Sequence, residues 1–494
     1  MRRLVPALVA ALLVLAGCFS GGGGTAAAPD RLRVALSFPP TAGLTPYGNE
    51  AVLATRLGVT EALTTLVDGE PRPGLATAWT QTSPTTWRFT VRPGVAFHDG
   101  SPVTPAAVAN ALNRAAVATP VPRAISSLAK SGTALAVVPE GDGVVVTTPV
   151  PDPVLPNRLA SPELVILGEA AYANPARPSP VRAGTGPFVL TAVQGSAGAT
   201  LDRNPAWWGG PVRAAGIDAR FLADGAARAN GVRAGEFDVA DAIPVSQAAA
   251  ITAPAQVVGV PLPRSVAVYL DQRSPVLADP GLRAAVRDAL RPLDVARTVY
   301  DGRADAAGAL FGPATPWAAA RPPRTDAPAT PPNGARLRLA TYSNRAELPE
   351  IATADADALR RAGFTVDLTV VDSAAFEAQL GTGAYDAAIV SRSQQLDTGD
   401  PVSYLASDVG CAGGYNWARF CDPATDVVLA QGGASSDLIV RRRAALEAEA
   451  RVLSADAVVP QVTERARLGV GGGVTGVAQD PTEVALITSA TARS

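Results

Sequence analysis

Strand-like and helix-like stretches follow one another between residues 336 and 391. Arg336–Tyr342 and Thr365–Val371 alternate apolar and polar residues as half-buried strands do, and Tyr385–Val390 is a short apolar run. Leu348–Ala362 is rich in helix formers and ends before a glycine, and a shorter helix is predicted after Asp372. The order strand, helix, strand, helix, strand predicts an α/β unit with a parallel sheet covered by helices.

The same patterns continue in the N-terminal half of the chain, which is richer in strands. Thr85–Val91 places Trp, Phe and Val on one face, so it is predicted as a strand. Ala134–Val138 and Gly143–Val150 flank the turn sequence PEGDG, which indicates a hairpin. Between them, Pro105–Val117 is predicted as a helix with Thr104 as its N-cap.

Further elements follow from capping and breaker residues. Asp437–Leu453 is predicted as a helix, and the spacing of Asp437 and Arg441 allows an ion pair between successive turns. The proline-rich segments Asn174–Pro180 and Pro313–Pro332 are predicted as linkers.

The N-terminus has the pattern of an export signal. Arg2 and Arg3 precede an apolar run, Leu4–Gly17, that is too short to span a bilayer. The small residues before Cys18 resemble a bacterial lipoprotein signal, in which the thiol is lipidated and the leader is removed. We therefore expect residues 1–18 to be a signal ending at a lipidated cysteine; the alternatives are a plain signal peptide or a chance cysteine.

Residues 19–29 (FSGGGGTAAAP) lack apolar periodicity and are predicted to be a flexible tether. Lipidation of Cys18 would leave two further cysteines, Cys411 and Cys421. In an exported protein these are expected to form a disulfide, although two buried free thiols remain an alternative.

Composition narrows the function classes. Lys and Arg number 42 against 44 Asp and Glu, so there is no basic surplus of the kind that nucleic-acid binding requires. His98 is the single histidine, which excludes HExxH zinc sites and would force any Ser-His-Asp hydrolase to use that residue. We expect no metal site, no cofactor and no enzymatic activity.

Six segments, taken in order, resemble the solute-binding lipoproteins of ABC importers that take up oligopeptides, dipeptides and related solutes (family 5). The most extensive, WRFTVRPGVAFHDGSPVTPAAVAN, is similar to the family's strand, F-H-D-G turn and following helix. Two details depart from the family pattern. Ala62 replaces a common glycine, and the acidic residue that usually stands directly before Val108 is missing. The six segments are Glu61–Leu63 with Pro73–Trp79, Trp87–Asn110, Gly184–Phe188 with Asn204–Gly210, Ala234–Ala240, Leu277–Val286, and Asp397–Pro401 with Tyr415, Asn416 and Asp422–Pro423.

This resemblance implies a two-lobed, periplasmic-binding-protein-like α/β fold of class II with an extra subdomain. Crossover strands would join the lobes, and the solute would lie in the cleft between them. The implied boundaries are 30–50, 181–263 and 466–494 for the first lobe, 51–180 for the extra subdomain, and 264–465 for the second lobe.

A cleft that captures a zwitterionic peptide needs an anion for the amine and a cation for the carboxylate. In relatives that bind dipeptides and oligopeptides, the acidic residue of the segment containing Asp397 meets the solute amine, which makes Asp397 the first candidate here. Asp400 is the second candidate, although a turn role before Pro401 competes. Arg392 follows the predicted strand and is the candidate for the carboxylate.

Aromatic and amide side chains complete the predicted site. Tyr415, Asn416 and Trp417 lie inside the proposed disulfide loop and could form a cleft wall, with core packing as the alternative. Trp317 and Tyr47 are weaker candidates for the lining of the cleft.

The resemblance implies an extracytoplasmic receptor at the outer face of the cytoplasmic membrane. It would be a monomer that passes its solute to permease subunits served by cytoplasmic ATPases, with no nucleic-acid partner. Two other classes stay open at this point. The first is an exported hydrolase, and the second is a structural or adhesive lipoprotein that kept the binding fold.

Overall fold

The computed structural model describes residues 30–343, 345–380, 382–394 and 398–494. The strands are β1 (Arg31–Leu36), β2 (Thr64–Val67), β3 (Glu70–Pro73), β4 (Ala76–Ser83), β5 (Thr86–Val91), β6 (Ala136–Glu140), β7 (Gly143–Thr147), β8 (Phe188–Gln194), β9 (Gly198–Arg203), β10 (Gly216–Phe221), β11 (Val239–Ala240), β12 (Gln256–Leu270), β13 (Asp305–Ala306), β14 (Arg336–Tyr342), β15 (Thr365–Val371), β16 (Ala387–Ser393), β17 (Val458–Val470), β18 (Val474–Thr475) and β19 (Ala492–Arg493).

The helices alternate with the strands in the second part of the chain. They are α1 (Ala51–Arg56), α2 (Pro105–Ala116), α3 (Arg123–Ala129), α4 (Leu155–Arg158), α5 (Gly225–Arg233), α6 (Val245–Ala248), α7 (Pro280–Leu290), α8 (Val295–Thr298), α9 (Glu347–Arg361), α10 (Ser373–Gln379), α11 (Pro401–Asp408), α12 (Pro423–Gly433) and α13 (Leu438–Ser454). Short 3-10 helices span Pro162–Leu164, Glu169–Ala173 and Pro316–Ala320.

A single eleven-stranded sheet runs through most of the molecule, in the order β15-β14-β16-β12-β17-β11-β1-β10-β9-β8, with β13 added beside β17. The long antiparallel strands β12 and β17, called the crossing strands below, lie in its middle. On one side lies the first half, β11, β1 and β8–β10; on the other lies the second half, β14–β16. Both halves therefore share one continuous network of backbone hydrogen bonds.

Side-chain alternation along β12 shows how the second half builds its layers. Val266, Val268 and Leu270 pack into one hydrophobic core with α7 and α9, while Ala267 and Tyr269 pack into the core on the opposite face with α11–α13. Successive side chains of a strand point to opposite faces, so a sheet with helices on both sides needs apolar residues at every position.

Residues 76–147 contribute a separate four-stranded sheet, β4-β5-β7-β6, which encloses its own core around Phe89 and Leu112. Helix α2 covers this sheet and is capped as predicted, since the Ala107 amide donates to the Thr104 hydroxyl at 3.2 Å. A two-stranded hairpin, β2–β3, extends from the same region.

Most predicted elements of the second half are confirmed. Strands β14 and β15 have the predicted bounds, and they pair in parallel. Strand β16 spans Ala387–Ser393 rather than Tyr385–Val390, because its pairing with β12 continues to the Ser393–Arg264 pair. The predicted ion pair between Asp437 and Arg441 is wrong: Asp437 caps α13 by accepting the Ile439 amide, and Arg441 pairs with Asp400.

Candidate functional site

Each half of the large sheet contains a point where the chain reverses its direction of winding. Strand β14 lies between β15 and β16 and is parallel to both. In the first half, β1 likewise lies between β10 and β11 and is parallel to both. The residues after two such neighbouring strands diverge to opposite faces and leave a crevice, where ligands of open α/β sheets bind.

The residues that follow these strands turn toward each other. After β1 and β11 come Ser37 and Asp241, and Ser37 donates to Asp241 from its amide at 2.7 Å and from its hydroxyl at 3.2 Å. After β14 comes Arg345. Directly after β16 comes Gln394, whose backbone N–H donates to the Pro263 carbonyl of a crossing strand at 2.8 Å.

A cavity of about 330 Å³ lies between these two points, with the crossing strands as one wall. Its volume is at the lower end of the range for small-molecule sites. The lining is dominated by charged side chains from both halves: Arg56, Asp241, Arg264, Arg345, Glu464, Arg465, Arg467, Asp480 and Glu483.

Six of the cavity charges alternate in sign and connect the two halves. This cavity ion-pair network runs in the order Asp241, Arg56, Glu483, Arg264, Glu464 and Arg345. Arg264 lies 3.2 Å from Glu483 and 3.8 Å from Glu464, while Arg345 lies 3.4 Å from Glu464. Most of these pairs are longer than charge-assisted hydrogen bonds of about 2.7–2.9 Å, so their guanidiniums are not saturated by the protein's own carboxylates.

Glu464 is the acidic centre of this network. Burial opposes its ionisation, but Arg345 and Arg264 outweigh that cost and hold the pKa of Glu464 below its usual value. The Ser391 hydroxyl donates to it at 2.6 Å and the Tyr300 hydroxyl at 3.2 Å. A carboxylate held ionised in this way keeps the neighbouring guanidiniums in place at the cavity wall.

Asp241 differs from Glu464 although both are fully enclosed. Burial raises the pKa of Asp241 despite the nearby Arg56 and Arg228. The cavity ion-pair network contributes three guanidiniums and three carboxylates, and the lining as a whole has five guanidiniums and four carboxylates. A solute that carries both signs of charge matches such a lining better than one that carries a single sign.

The structure brings together Arg392, Tyr415 and Trp417, three residues that the sequence singled out. The guanidinium of Arg392 donates to both oxygens of the buried Asp408, at 2.6 and 2.8 Å, and its carbon lies 4.4 Å from the centre of the Tyr415 ring. Trp417 meets the Tyr415 ring edge-on at 5.7 Å. Since Asp408 occupies two donors of Arg392, this guanidinium is less available than that of Arg345.

Asn416 lies in the same loop, and a disulfide joins Cys411 to Cys421 at its ends. The Asn416 side-chain amide donates to the carbonyls of Gly410 and Phe420, at 3.0 and 2.6 Å. These bonds hold the loop in shape, and they direct the donors of Asn416 into the protein.

Asp400 is engaged within the protein. It caps α11 by accepting the Ser403 amide at 2.7 Å, and it accepts two hydrogen bonds from Arg441, at 2.7 and 2.5 Å. Both partners of this ion pair are buried. The role of Asp400 as a solute contact stays a prediction.

The remaining sequence candidates lie apart from one another. Trp317 packs on Phe311 at 4.9 Å between ring centres and lines a second cavity of about 20 Å³. Tyr47 packs against the core of the four-stranded sheet. Asp397 lies outside the described residues. The nearest described residues are Gln394, whose backbone amide bonds to a crossing strand, and Thr398, next to Gly399, which packs against hairpin β2–β3.

Several motif residues behind the family resemblance meet at a joint away from the charged cavity. Glu61 accepts hydrogen bonds from the indoles of Trp207 and Trp208, at 3.2 and 2.9 Å. Nε2 of His98 lies 3.0 Å from the Gly186 carbonyl, and burial lowers the pKa of this histidine. These contacts attach the four-stranded sheet to the first half. The motif residues that make them therefore have a structural role.

Sequence reasoning missed the cavity charges. Arg345 carried a usable signal, because it follows a confidently predicted strand beside the reversal of winding. Arg264 and Glu464 carried none, because they come together only through the pairing of strands that are far apart in sequence. Arg56 and Glu483 likewise belong to segments more than 400 residues apart that pack side by side.

Residues 70–416 match the family of bacterial extracellular solute-binding proteins, family 5. The chain belongs to this family, whose members serve ABC importers, and the recognition made from sequence is confirmed. It is 28% identical over 279 residues to a probable di/tripeptide-binding protein 5 of Pseudomonas aeruginosa. That match spans about half of each protein, 51% of this chain and 51% of the relative.

Solved structures show the same fold. A nickel ABC transporter protein from Bacillus halodurans superposes with a TM-score of 0.80 at 20% identity, covering 94% of this chain and 100% of that one. The periplasmic murein tripeptide-binding protein MppA, in its unliganded open form, superposes with a TM-score of 0.77 at 19% identity, covering 94% of this chain and 97% of that one. The two-lobed α/β fold class is thereby confirmed.

Among the described residues, no three His, Cys, Asp or Glu side chains are grouped as metal ligands. Across the same part of the chain, every helix is too short or too polar to cross a membrane.

Proposed function

We propose that this protein captures a peptide or a similar small zwitterionic solute in the charged cavity and delivers it to an ABC permease. The observation that supports this most is the convergence of both reversal points, one from each half, on a single cavity lined by charges of both signs. The likeness to a di/tripeptide-binding protein favours a peptide. The likeness to a nickel transporter protein is weaker support for its own solute, because the described residues contain no metal-ligand cluster.

Within this proposal, Arg345 receives the solute carboxylate, assisted by Arg264. Arg345 takes the role first given to Arg392, whose guanidinium Asp408 already holds. Asp397 remains the candidate for the solute amine, as the family resemblance implied. Tyr415, Trp417 and Trp317 belong to the second half but do not line the charged cavity.

The division into lobes is part of the same proposal. The boundaries at 263/264 and 465/466 fall inside the two crossing strands, which makes these strands the hinge. Across the cleft, Arg442 of α13 donates to the Asp68 carbonyl of hairpin β2–β3 at 2.9 Å and lies 3.3 Å from Glu70. This contact is already formed in the structure, and we propose that it helps to hold the cleft closed around a solute.

The experiment that tests solute capture uses the protein as purified without denaturation. Native mass spectrometry is expected to show a co-purified small solute, and calorimetry with that solute gives its affinity. Asp397→Ala is expected to weaken binding by more than ~1.5 kcal/mol, because a charge-assisted contact is lost. Asp357→Ala is the matched control, since Asp357 pairs only with Arg360 on the surface of α9. Equal affinity of both variants would reject the role of Asp397.

We also propose that Cys18 carries the lipid anchor and that residues 19–29 tether the body to the outer face of the cytoplasmic membrane. Both segments lie outside the described residues. Mass analysis of the N-terminal peptide from membranes is expected to show a diacylglyceryl group on a chain that begins at Cys18. A Cys18→Ala variant should lose this mass and leave the membrane fraction. An unmodified N-terminus in the wild-type protein would contradict the anchor.

A further inference from the structure

Crossing strand β17 has two shifts of register against β12, and the second of them leaves Gln461 without a partner. Val266 pairs with Val462 and Ala267 with Pro460, so Gln461 is the extra residue of a β-bulge. Its carbonyl accepts the amide of Ala307, so the backbone at the bulge is tied to a neighbouring segment. A bulge bends a strand and increases its twist, and here it lies in the strand that joins the two halves.

The side chain of Gln461 reaches a fully buried acid. Its amide nitrogen donates to Oδ1 of Asp355 on α9 at 2.7 Å. Two acceptor atoms of this pair, Oδ2 of Asp355 and Oε1 of Gln461, are buried without a hydrogen-bond partner among the described residues. A buried polar atom left unpaired costs roughly 1–3 kcal/mol, so two of them in one contact require an explanation.

An ionised Asp355 cannot satisfy these atoms, because a carboxylate only accepts hydrogen bonds. A protonated carboxyl has one O–H donor. With the proton on Oδ2, Asp355 would donate to Oε1 of Gln461 while Oδ1 continues to accept from the amide nitrogen. The two side chains then form a cyclic acid–amide pair in which both orphaned atoms are satisfied.

We propose that Asp355 is a proton-binding site that locks the bulge of the crossing strand, and that loss of its proton releases this lock. The lock is a pH-sensitive device in the fold; its bearing on lobe movement rests on the proposed function. An exported protein meets the pH of its surroundings directly, so a device of this kind would report external pH to the joint between the halves.

The electrostatic surroundings agree with this proposal. Burial is the main cause that raises the pKa of Asp355 to about 7, and the hydrogen bond from Gln461 opposes it only in part. Most charged groups on the elements around Asp355 are engaged elsewhere, and Glu350 and Arg361 of α9 are exposed to solvent. On α7, Arg287 pairs with Asp456 and Arg283 donates to the Leu277 and Ala455 carbonyls. The others are paired as Arg336 with Asp367, Arg338 with Asp386, Asp357 with Arg360, Arg465 with Asp305, Arg467 with Glu347, and Glu464 with Arg345 and Arg264.

The sign of the pH dependence follows from the raised pKa. The folded protein binds this proton more tightly than the unfolded chain, whose aspartates titrate near pH 3.9. The contribution of Asp355 to stability is therefore complete below about pH 4, declines as the pH rises, and is lost above about pH 7. Carboxylates with lowered pKa values, such as Asp386, have the opposite dependence and have completed it below about pH 5.

The test compares denaturant unfolding of the wild-type protein and Asp355→Asn, without solute, at about pH 5 and about pH 8. Asparagine keeps the shape and an amide donor but does not titrate. We expect the unfolding equilibrium constant of the wild type, relative to this variant, to rise about a hundredfold between the two pH values. The matched control is Asp386→Asn, which breaks a pair with Arg338 that is ionised at both pH values. Its effect should be the same at both.

A measurement on the unmodified protein keeps the proposal testable if Asp355→Asn does not fold. The side-chain carboxyl carbon signal of Asp355 is expected to titrate near neutral pH, and exchange of the β17 amides around Gln461 should accelerate above that point after correction for intrinsic rates. An equal pH dependence of wild type and variant, or an Asp355 signal that titrates near pH 4, would overturn the proposal. Because no solute is present, neither result depends on whether the proposed solute is right.

Discussion

Replacing Asp400 with alanine is expected to lower the free energy of unfolding by about 3–5 kcal/mol, because it leaves the buried guanidinium of Arg441 without its partner. Arg441 also donates to the carbonyls of Gly432, Gly433 and Ser435, at 3.0, 3.0 and 2.8 Å, so it cannot turn toward solvent without losing these bonds. The ion pair fastens the start of α11 to α13. Denaturant unfolding followed by circular dichroism measures the loss.

The chain offers a matched control for this substitution. Asp279 caps α7 in the same Asp-Pro arrangement and accepts the Gly281 amide at 2.8 Å, but it is exposed. Asp279→Ala is therefore expected to cost only about 1 kcal/mol, the usual value of a lost N-cap. In the double variant Asp400→Ala with Arg441→Met, stability should partly recover, because no unpaired charge remains. Equal losses for Asp400→Ala and Asp279→Ala would show that the buried ion pair contributes nothing beyond the cap.

Replacing Arg345 with methionine is expected to weaken binding of the co-purified solute by at least about 2 kcal/mol, or roughly thirtyfold in Kd. The reason is that a solute carboxylate in the cavity loses its principal cation. Methionine retains much of the apolar stem, and Glu464 keeps Arg264 at 3.8 Å and the hydroxyls of Ser391 and Tyr300 as partners. Titration calorimetry at constant pH measures the change.

Arg465→Met serves as the control for Arg345→Met. Arg465 lines the same cavity, but its guanidinium is held by Asp305, so its removal should leave the affinity within about threefold of wild type. Equal losses in the two variants would indicate a general effect of cavity charge rather than direct contact. Wild-type affinity in Arg345→Met would remove this residue from the site.

The second half of the fold was largely predictable from sequence because its signals are local. Alternation defines β14 and β15, and a glycine after the last turn marks the end of α9. The error at β16 has a different source. Its last residues gain their strand conformation by pairing with β12, more than 100 residues earlier, and a local pattern carries no information about such pairing.

The candidate site was less predictable for a related reason. Sequence reasoning found polar residues in recognisable motifs, and the structure places Glu61 and His98 at a structural joint and Asp400 in a buried ion pair. The cavity charges come from six separate segments that only the folded sheet brings together. Arg392 illustrates the same limitation. It follows the predicted strand, but its guanidinium is paired with Asp408, sixteen residues further on, and the local pattern gives no sign of this pair.

The continuous sheet has a consequence for how the molecule comes apart. Each crossing strand is hydrogen-bonded to the other, and each also borders one half, so neither half has an edge of its own at the joint. Unfolding of one half would remove a row of backbone hydrogen bonds from the crossing strands, to which the other half is also hydrogen-bonded. We therefore expect the two halves to unfold cooperatively, although each is built around its own hydrophobic core.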